Sequence, residues 1–449
     1  MKSIAVSLLC VSLFSIQAVA QDAEPSRTLI TNVNIFDGVN DGLMPGSVLI
    51  ENNLIVEIGN EIDAPRSATL IDGEGRTLMP GLIDMHVHYS TFLPLSETRA
   101  NMHPYAHGAL AVLRANEFLM NGYTTTRDAG GASKYLKDII DEGLTPGPRI
   151  YPSENFISTS SGHGDFRDLN DRSISVNGVS HFYDEYVSTV ADGPAETTRA
   201  VRDAFRRGAT QIKLFTSGGV SSRHDPLHSG PNAEEIRAAV AVAEAWDTYV
   251  LAHSFNEDAI RLAIDNGVKS IEHAPFLTDA VAQEMIEKGV YLATAVAPVF
   301  EISVEQARAQ YSAESFAKWL PVREAATEML AVLNRNPELK VVLGSDLLGP
   351  WNNMVETDDK MNLEFRYFAD AIGNYRTLRM ATSVAGEMNL MTGRMNPYTD
   401  GPLGVIEVGA YADILLIDGN PLLDIELMTD PEANFDLIMK DGVIYKNAL

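Results

Sequence analysis

Apolar positions along the chain follow two rhythms. Between Arg27 and Leu78 they come in short strand-like runs: Thr28-Leu29-Ile30, Val33-Asn34-Ile35-Phe36, Ser47-Val48-Leu49-Ile50-Glu51 and Leu54-Ile55-Val56-Glu57-Ile58. Turn residues at Asp37-Gly38, Asn52-Asn53 and Asp72-Gly73 punctuate them. The same texture returns only near the other end, in residues 412–418 and 437–445. Two separated all-β segments of one character predict a small β-sandwich domain built from both termini, residues 21–78 and 399–449.

Residues 79–398 have a different rhythm, with apolar or β-branched strands alternating with helical stretches, the pattern of βα units around a parallel sheet. Eight strands are predicted at 81–88, 123–128, 149–156, 211–215, 249–253, 270–273, 290–295 and 340–346. Helices are predicted between them, at 234–246, 258–266 and 279–288 among others, the first entered through Pro231-Asn232-Ala233-Glu234-Glu235, an N-cap followed by first-turn acids. Eight units in order predict an α/β fold of the (β/α)8 barrel type, with an open doubly wound sheet as the alternative. Residues 158–194 form a long polar insertion after the third strand, placed to act as a lid.

The first twenty residues read as a secretory signal: Lys2, an apolar core from Ile4 to Ile16, and Ala18-Val19-Ala20 before Gln21. The segment is too short for a stable membrane span. A secreted or periplasmic protein is therefore expected, cleaved near Ala20-Gln21 and carrying no membrane anchor in mature form. The 449-residue chain has a net charge of −27, which argues against nucleic acid as a partner. Its single cysteine, Cys10, leaves with the signal, so a metal would be held by nitrogen and oxygen, suiting zinc, manganese, cobalt or iron.

One set of residues carries chemistry. Met79-Pro80-Gly81-Leu82-Ile83-Asp84-Met85-His86-Val87-His88 ends an apolar stretch with two histidines two positions apart. In a strand these share a face. Lys213 lies in the fourth predicted strand, His253 ends the fifth, His273 the sixth and Asp346 the eighth. In a barrel those ends meet on one rim, where catalytic sites of this fold are built.

His86-Val87-His88, Ile212-Lys213-Leu214-Phe215, Ala252-His253, Ile271-Glu272-His273 and Gly344-Ser345-Asp346 together resemble the amidohydrolase superfamily. Within it, the run from Lys213 to Val220, then Asp225-Pro226, and Ser161-Gly162-His163-Gly164-Asp165 are similar to the binuclear prolidase-like, Xaa-dipeptidase branch, which also holds ochratoxinase-like amidases. Imidazolonepropionases are related but bind one metal and lack the lysine. The resemblance implies two divalent ions, zinc first among them, roughly 3.5–4 Å apart and sharing a hydroxide. It implies that Lys213 carries CO2 as N6-carboxylysine, a carbamate bridging both ions. His86 and His88 would hold the more buried ion, and His253 and His273 the more exposed one. Asp346 would touch the first ion and the hydroxide and act as proton shuttle, taking the proton from the hydroxide and giving it to the departing amine. His163 would help hold the carbonyl oxygen as charge builds there.

The expected function is hydrolysis of the amide bond of dipeptides or N-acyl amino acids, small-molecule substrates that end in a carboxylate. Arg223, in the loop after the Lys213 strand, is the first candidate to receive that carboxylate, with Tyr89 second and Tyr105 and His228 behind them. Ser222-Arg223-His224-Asp225 carries more charge than that loop often shows in relatives, which leaves side-chain preference open. His103, His107 and His181 match no motif. Alternatives are a hydrolase of another small amide, a cyclic imide or a lactone, and a non-catalytic periplasmic metal- or ligand-binding protein. A homo-oligomer is compatible with the sequence.

Overall fold

The computed structural model describes residues 25–91, 103–131, 133–168, 170–171, 186–222, 230–347 and 361–449. The predicted signal segment, Arg223, His228 and His181 lie outside the described residues.

Five strands open the chain: β1 (Arg27–Ile35), β2 (Met44–Glu51), β3 (Leu54–Gly59), β4 (Thr69–Asp72) and β5 (Thr77–Pro80). The middle supplies β6 (Leu82–Val87), β7 (Tyr123–Asp128), β8 (Arg149–Pro152), β9 (Phe156–Ser158), β10 (Ser188–Val190), β11 (Ile212–Phe215), β12 (Val250–Ser254), β13 (Ser270–His273), β14 (Tyr291–Thr294) and β15 (Val341–Leu343). The chain closes with β16 (Ile414–Ile417), β17 (Phe435–Lys440) and β18 (Val443–Asn447).

The terminal strands form one eight-stranded sheet in the order β18-β17-β16-β5-β1-β2-β3, with β4 also paired to β1. The strands of the two termini are thus hydrogen-bonded into one path, because β5 bridges the N-terminal strands to β16. Its inner face gathers Ile30, Val48, Ile55, Leu78, Ile414, Leu416, Leu437 and Met439 around one core. The alternate residues of β16, Leu415 and Ile417, belong instead to the main core. Burial on both faces explains why Ile414-Leu415-Leu416-Ile417 is apolar throughout rather than alternating.

The middle strands form two all-parallel sheets, β6-β7-β8 and β10-β9-β11-β12-β13-β14-β15. Backbone hydrogen bonds join them at both seams: Asp346 N–H to the His86 carbonyl at 2.9 Å, and Thr210 N–H to the Pro152 carbonyl at 2.7 Å. One cluster gathers Ile83, Met85, Tyr151, Leu251, Ala293 and Val342 from strands of both sheets. The intervening residues, such as Leu82, Ile150, Val250, Ala252 and Leu292, pack outward in the main core. Helices Ala233–Ala245, Glu257–Asp265 and Asp279–Lys288 fall within a residue of their predicted bounds. The first begins in a full capping box between Asn232 and Glu235.

Two strand predictions need correction. The third strand is broken into β8 and β9 because Glu154 takes a left-handed φ of 58° between them. The eighth stops at Leu343, and Gly344-Ser345-Asp346 leaves it as a turn with Asp346 at φ 46°. The insertion after the third strand supplies β10, which pairs with β9.

Candidate metal centre

Parity along β6 sets the centre. His86 and His88 point to one side, while Val87 and Tyr89 point to the other and are fully buried in the main core. Met85 packs with Ile83 in the inner cluster, because the pairing of β6 with β7 shifts register between Asp84 and Val87. Tyr89 donates or accepts at Thr126 Oγ1 over 2.9 Å and packs edge-on against Phe118. The structure therefore does not place Tyr89 beside the histidines as a carboxylate receptor, because its odd position turns it into the packing under helix Pro104–Met120. Tyr105 is 86% exposed on that helix, and His103 caps its N-terminus. His107 is buried with Nε2 2.6 Å from the Ser90 carbonyl.

The remaining sequence candidates converge. Nε2 of His88 lies 3.3 Å from Asp346 Oδ1, Nε2 of His86 3.7 Å from the same oxygen, and Nδ1 of His273 3.7 Å from Asp346 Oδ2. Lys213 Nζ is 3.3 Å from His86 Nε2. The ring of His273 sits 4.7 Å from that of His86 and 4.6 Å from that of His253. Ligand atoms of His86, His88 and Asp346 lie within 4.8 Å of one another, a spread one cation can span. Both His273, at φ 72°, and Asp346, at φ 46°, hold a left-handed backbone conformation uncommon outside glycine. Such strain persists where surroundings over-determine the geometry.

Three of the four imidazoles have one ring nitrogen tied back to the protein. His86 Nδ1 lies 2.6 Å from Glu272 Oε2, His88 Nδ1 3.1 Å from the Gly130 carbonyl, and His253 Nε2 2.9 Å from the Gly218 carbonyl. A carbonyl oxygen accepts only N–H, so in the neutral ring the opposite nitrogen of His88 and of His253 carries the lone pair. This is how metal-ligating histidines are oriented. Electrostatics agree. Burial first, then the Lys213 charge, holds His86 well below the ordinary imidazole range, and burial does the same for His253. Burial takes His273 down to about 3, against the opposing pull of Asp346. Burial also lowers Lys213 to about 8. For Asp346 burial would raise the pKa, but the neighbouring His88, His273 and Lys213 outweigh it and hold it low. The imidazoles of His86, His253 and His273, kept neutral by burial beside a charged carboxylate, are a donor set that fits divalent cations.

Several supporting residues were not singled out in the sequence. Glu272 also pairs with Arg127 at 2.7 Å and accepts from Ser270. Arg127 in turn reaches the Met85 carbonyl and Tyr249. Asp84 accepts the N–H groups of His86 and Ser345, tying β6 to the turn after β15, and its burial pushes it up to about 7. The available signal was charge in apolar strands: Arg127 and Glu272 in parallel strands require partners.

His163 stacks on His253, ring centroids 4.4 Å apart and planes 20° apart, and is held through Nδ1 by Ser222 Oγ at 2.6 Å. Burial and the Lys213 charge lower it to about 4. Phe215 and Phe255 flank His253, so with His163 this imidazole is walled by aromatic rings.

The model of the amidohydrolase family matches residues 77–446. The chain is 28% identical over 440 residues to an ochratoxinase of Aspergillus niger, covering 95% of this chain and 88% of that protein. A crystal structure of a prolidase complexed with N-methylphosphonate-L-proline is similar, with a TM-score of 0.84 and 34% identity, over 94% of this chain and 100% of that one. A Xaa-Pro dipeptidase with methionine bound in its active site gives a TM-score of 0.79 and 27% identity, over 94% and 100% of the two chains. With most of its length matched, the chain belongs to the amidohydrolase family, beside its prolidases and ochratoxinase, and is a hydrolase of amide or peptide bonds.

Proposed function

We propose that this protein hydrolyses the amide bond of dipeptides or N-acyl amino acids at a centre for two divalent cations, with zinc the first candidate. The observation that carries the reading is the tying back of His86, His88 and His253, which leaves a nitrogen of each toward the space shared with Asp346, Lys213 and His273. His86, His88 and Asp346 would hold one cation and His253 and His273 the other. Lys213 cannot ligate as an ammonium and would bridge both as the N6-carboxylysine carbamate. When bound, the cations supply a nucleophilic hydroxide at neutral pH and polarise the scissile carbonyl.

The chain's own residues do the rest. Asp346 Oδ1 and Oδ2 lie among three imidazoles, where the carboxylate takes a proton from the attacking water and returns it to the amine nitrogen. An amine leaves poorly unless protonated, so this transfer is required for an amide. His163, stacked on His253, meets the carbonyl oxygen. The buried walls of Phe215 and Phe255 exclude water from the imidazoles.

The reading includes closure of the two parallel sheets into one (β/α)8 barrel, supported by the hydrogen bonds at both seams and by the cluster drawn from both. It includes export, supported by the charged start, apolar core and small-residue site of residues 1–20. The prolidase and the Xaa-Pro dipeptidase among the relatives, holding a proline derivative and methionine, support a substrate built on an amino acid. The likeness to ochratoxinase favours a second reading, hydrolysis of another small amide.

The test is a screen of dipeptides, N-acyl amino acids and lactones on metal-loaded protein, with detection of free amine, run beside Asp346→Asn. The expected result is amine release by the wild type and a fall in kcat of about 10²- to 10⁴-fold in the variant with metal content retained. Wild-type rates in Asp346→Asn would overturn the mechanism, and activity on lactones alone would overturn the substrate class.

A further inference from the structure

If His163 meets the substrate carbonyl, the chemistry depends on which ring nitrogen bears hydrogen. Nδ1 of His163 lies 2.6 Å from Ser222 Oγ. The same oxygen already accepts the N–H of Gly219 at 2.8 Å. Among the described residues the hydroxyl hydrogen has no other acceptor than Nδ1. With hydrogen on Nδ1, two donors would meet at Oγ and the hydroxyl hydrogen would be left without a partner, in a residue only 8% exposed. Leaving a buried donor unsatisfied costs free energy. With hydrogen on Nε2, the hydroxyl donates to Nδ1 and Oγ accepts from Gly219, so the hydroxyl's donor and acceptor are both used.

Ser222 is itself firmly held. Its N–H donates to the Gly219 carbonyl at 3.2 Å. Its carbonyl accepts from Lys318 Nζ, which reaches across from helix Ala313–Arg335. The ring it governs is fixed by stacking on His253 and by an edge contact with Phe215 at 5.1 Å. Gly219 makes room for this arrangement, since a Cβ there would lie 2.8 Å from His163 Cε1 and 3.1 Å from His253 Cε1.

We propose that Ser222 is a positioning residue that locks His163 in the Nε2–H tautomer, so that the ring offers a hydrogen-bond donor to the scissile carbonyl oxygen as negative charge builds on it. The inference rests on the amide-hydrolysis reading and deepens it. A ring locked the other way would turn a lone pair toward that oxygen and repel it.

The experiment compares wild type, Ser222→Ala and Ser222→Thr as metal-loaded full chain. Ser222→Ala is expected to lose about 10- to 100-fold in kcat, with KM changed by less than about twofold, because the donor acts on charge that develops in the transition state. Ser222→Thr keeps the hydroxyl and restores most of the rate. Long-range 15N–1H correlation on 15N-histidine-labelled protein reads the tautomer directly, the His163 signal being identified by its loss in His163→Gln. Hydrogen on Nε2 is expected in the wild type and a mixture of tautomers in Ser222→Ala. Hydrogen on Nδ1 in the wild type overturns the proposal, as does Ser222→Ala with wild-type kcat. A wild-type protein that hydrolyses no amide would instead sink the function reading, whichever tautomer the spectrum shows.

Discussion

Nδ1 of His86 lies 2.6 Å from Oε2 of Glu272, the residue that immediately precedes His273. The strand that delivers one candidate ligand thus also orients another from across the fold. The same carboxylate oxygen sits 2.7 Å from Arg127, and neither Glu272 nor Arg127 has any exposed surface. Their ion pair is inside the protein, where either partner left alone is costly.

Glu272→Gln is therefore expected to weaken metal binding about 10- to 100-fold. The amide can still accept from His86, but it no longer balances Arg127. Competition with a chromophoric chelator measures the affinity. Wild-type affinity in a folded variant would show that the pair has no part in orienting His86.

Lys213 lies within 3.3 Å of His86 Nε2 and is 1% exposed. As an ammonium it would repel any cation bound there, so its removal discriminates between two roles. If it bridges as a carbamate, Lys213→Ala should fall from two metals per chain to one or fewer, measured by elemental analysis after gel filtration. An unchanged stoichiometry of two would exclude the bridge.

Much of the site was legible because parity in a strand is rigid: His86 and His88 had to share a face, and the ends of parallel strands had to share a rim. The same parity, applied one residue further, excludes Tyr89, which turns into the packing beside Phe118. Arg127 and Glu272 were less legible, since a charged residue in a strand reads equally well as an edge position, and only the three-dimensional fold shows them facing each other. Asp346 was found by its motif, but its placement depends on a left-handed turn beyond β15 that no hydrophobic pattern encodes. The pairing between the terminal strands was illegible for a similar reason. Strand-like texture at both termini does not reveal that β5 would pair with both groups and make them one sheet.

Gly344 tests how closely the two seam strands must approach. A Cβ at this position would lie 2.6 Å from the Cβ of His86 and 3.4 Å from its backbone nitrogen. Gly344→Ala should push β6 away from the turn that carries Asp346. The expected cost is about 1–3 kcal/mol of stability, typical of overpacking, together with weaker metal binding. Urea unfolding and chelator competition read the two effects, and wild-type values for both would show that the seam can open without consequence.

Arg149 ties the terminal sheet to the parallel strands. It starts β8, is 1% exposed, and its guanidinium bonds Asp413 beside β16 and Asp441 between β17 and β18. Burial alone would lower its pKa, but the two carboxylates outweigh burial and raise it. Its guanidinium also stacks over Tyr411, 4.0 Å from the ring centre. Lys440 adds a bond to the Gly147 carbonyl in the segment just before β8. Arg149→Met keeps the apolar stem but leaves Asp413, 4% exposed, without its cation. The expected loss is about 3–5 kcal/mol, of which the more exposed Asp441 supplies little because water screens it. It should appear as a lower urea midpoint at an unchanged slope. Arg149→Met combined with Asp413→Leu should recover part of the loss, since removing both charges leaves no orphan in the interface. The metal centre lies at the opposite ends of the strands from Arg149, so metal affinity of the folded variants should match the wild type. A wild-type midpoint in Arg149→Met would mean that apolar packing, from Leu415, Ile417 and Phe435 against the main core, holds the two parts together unaided.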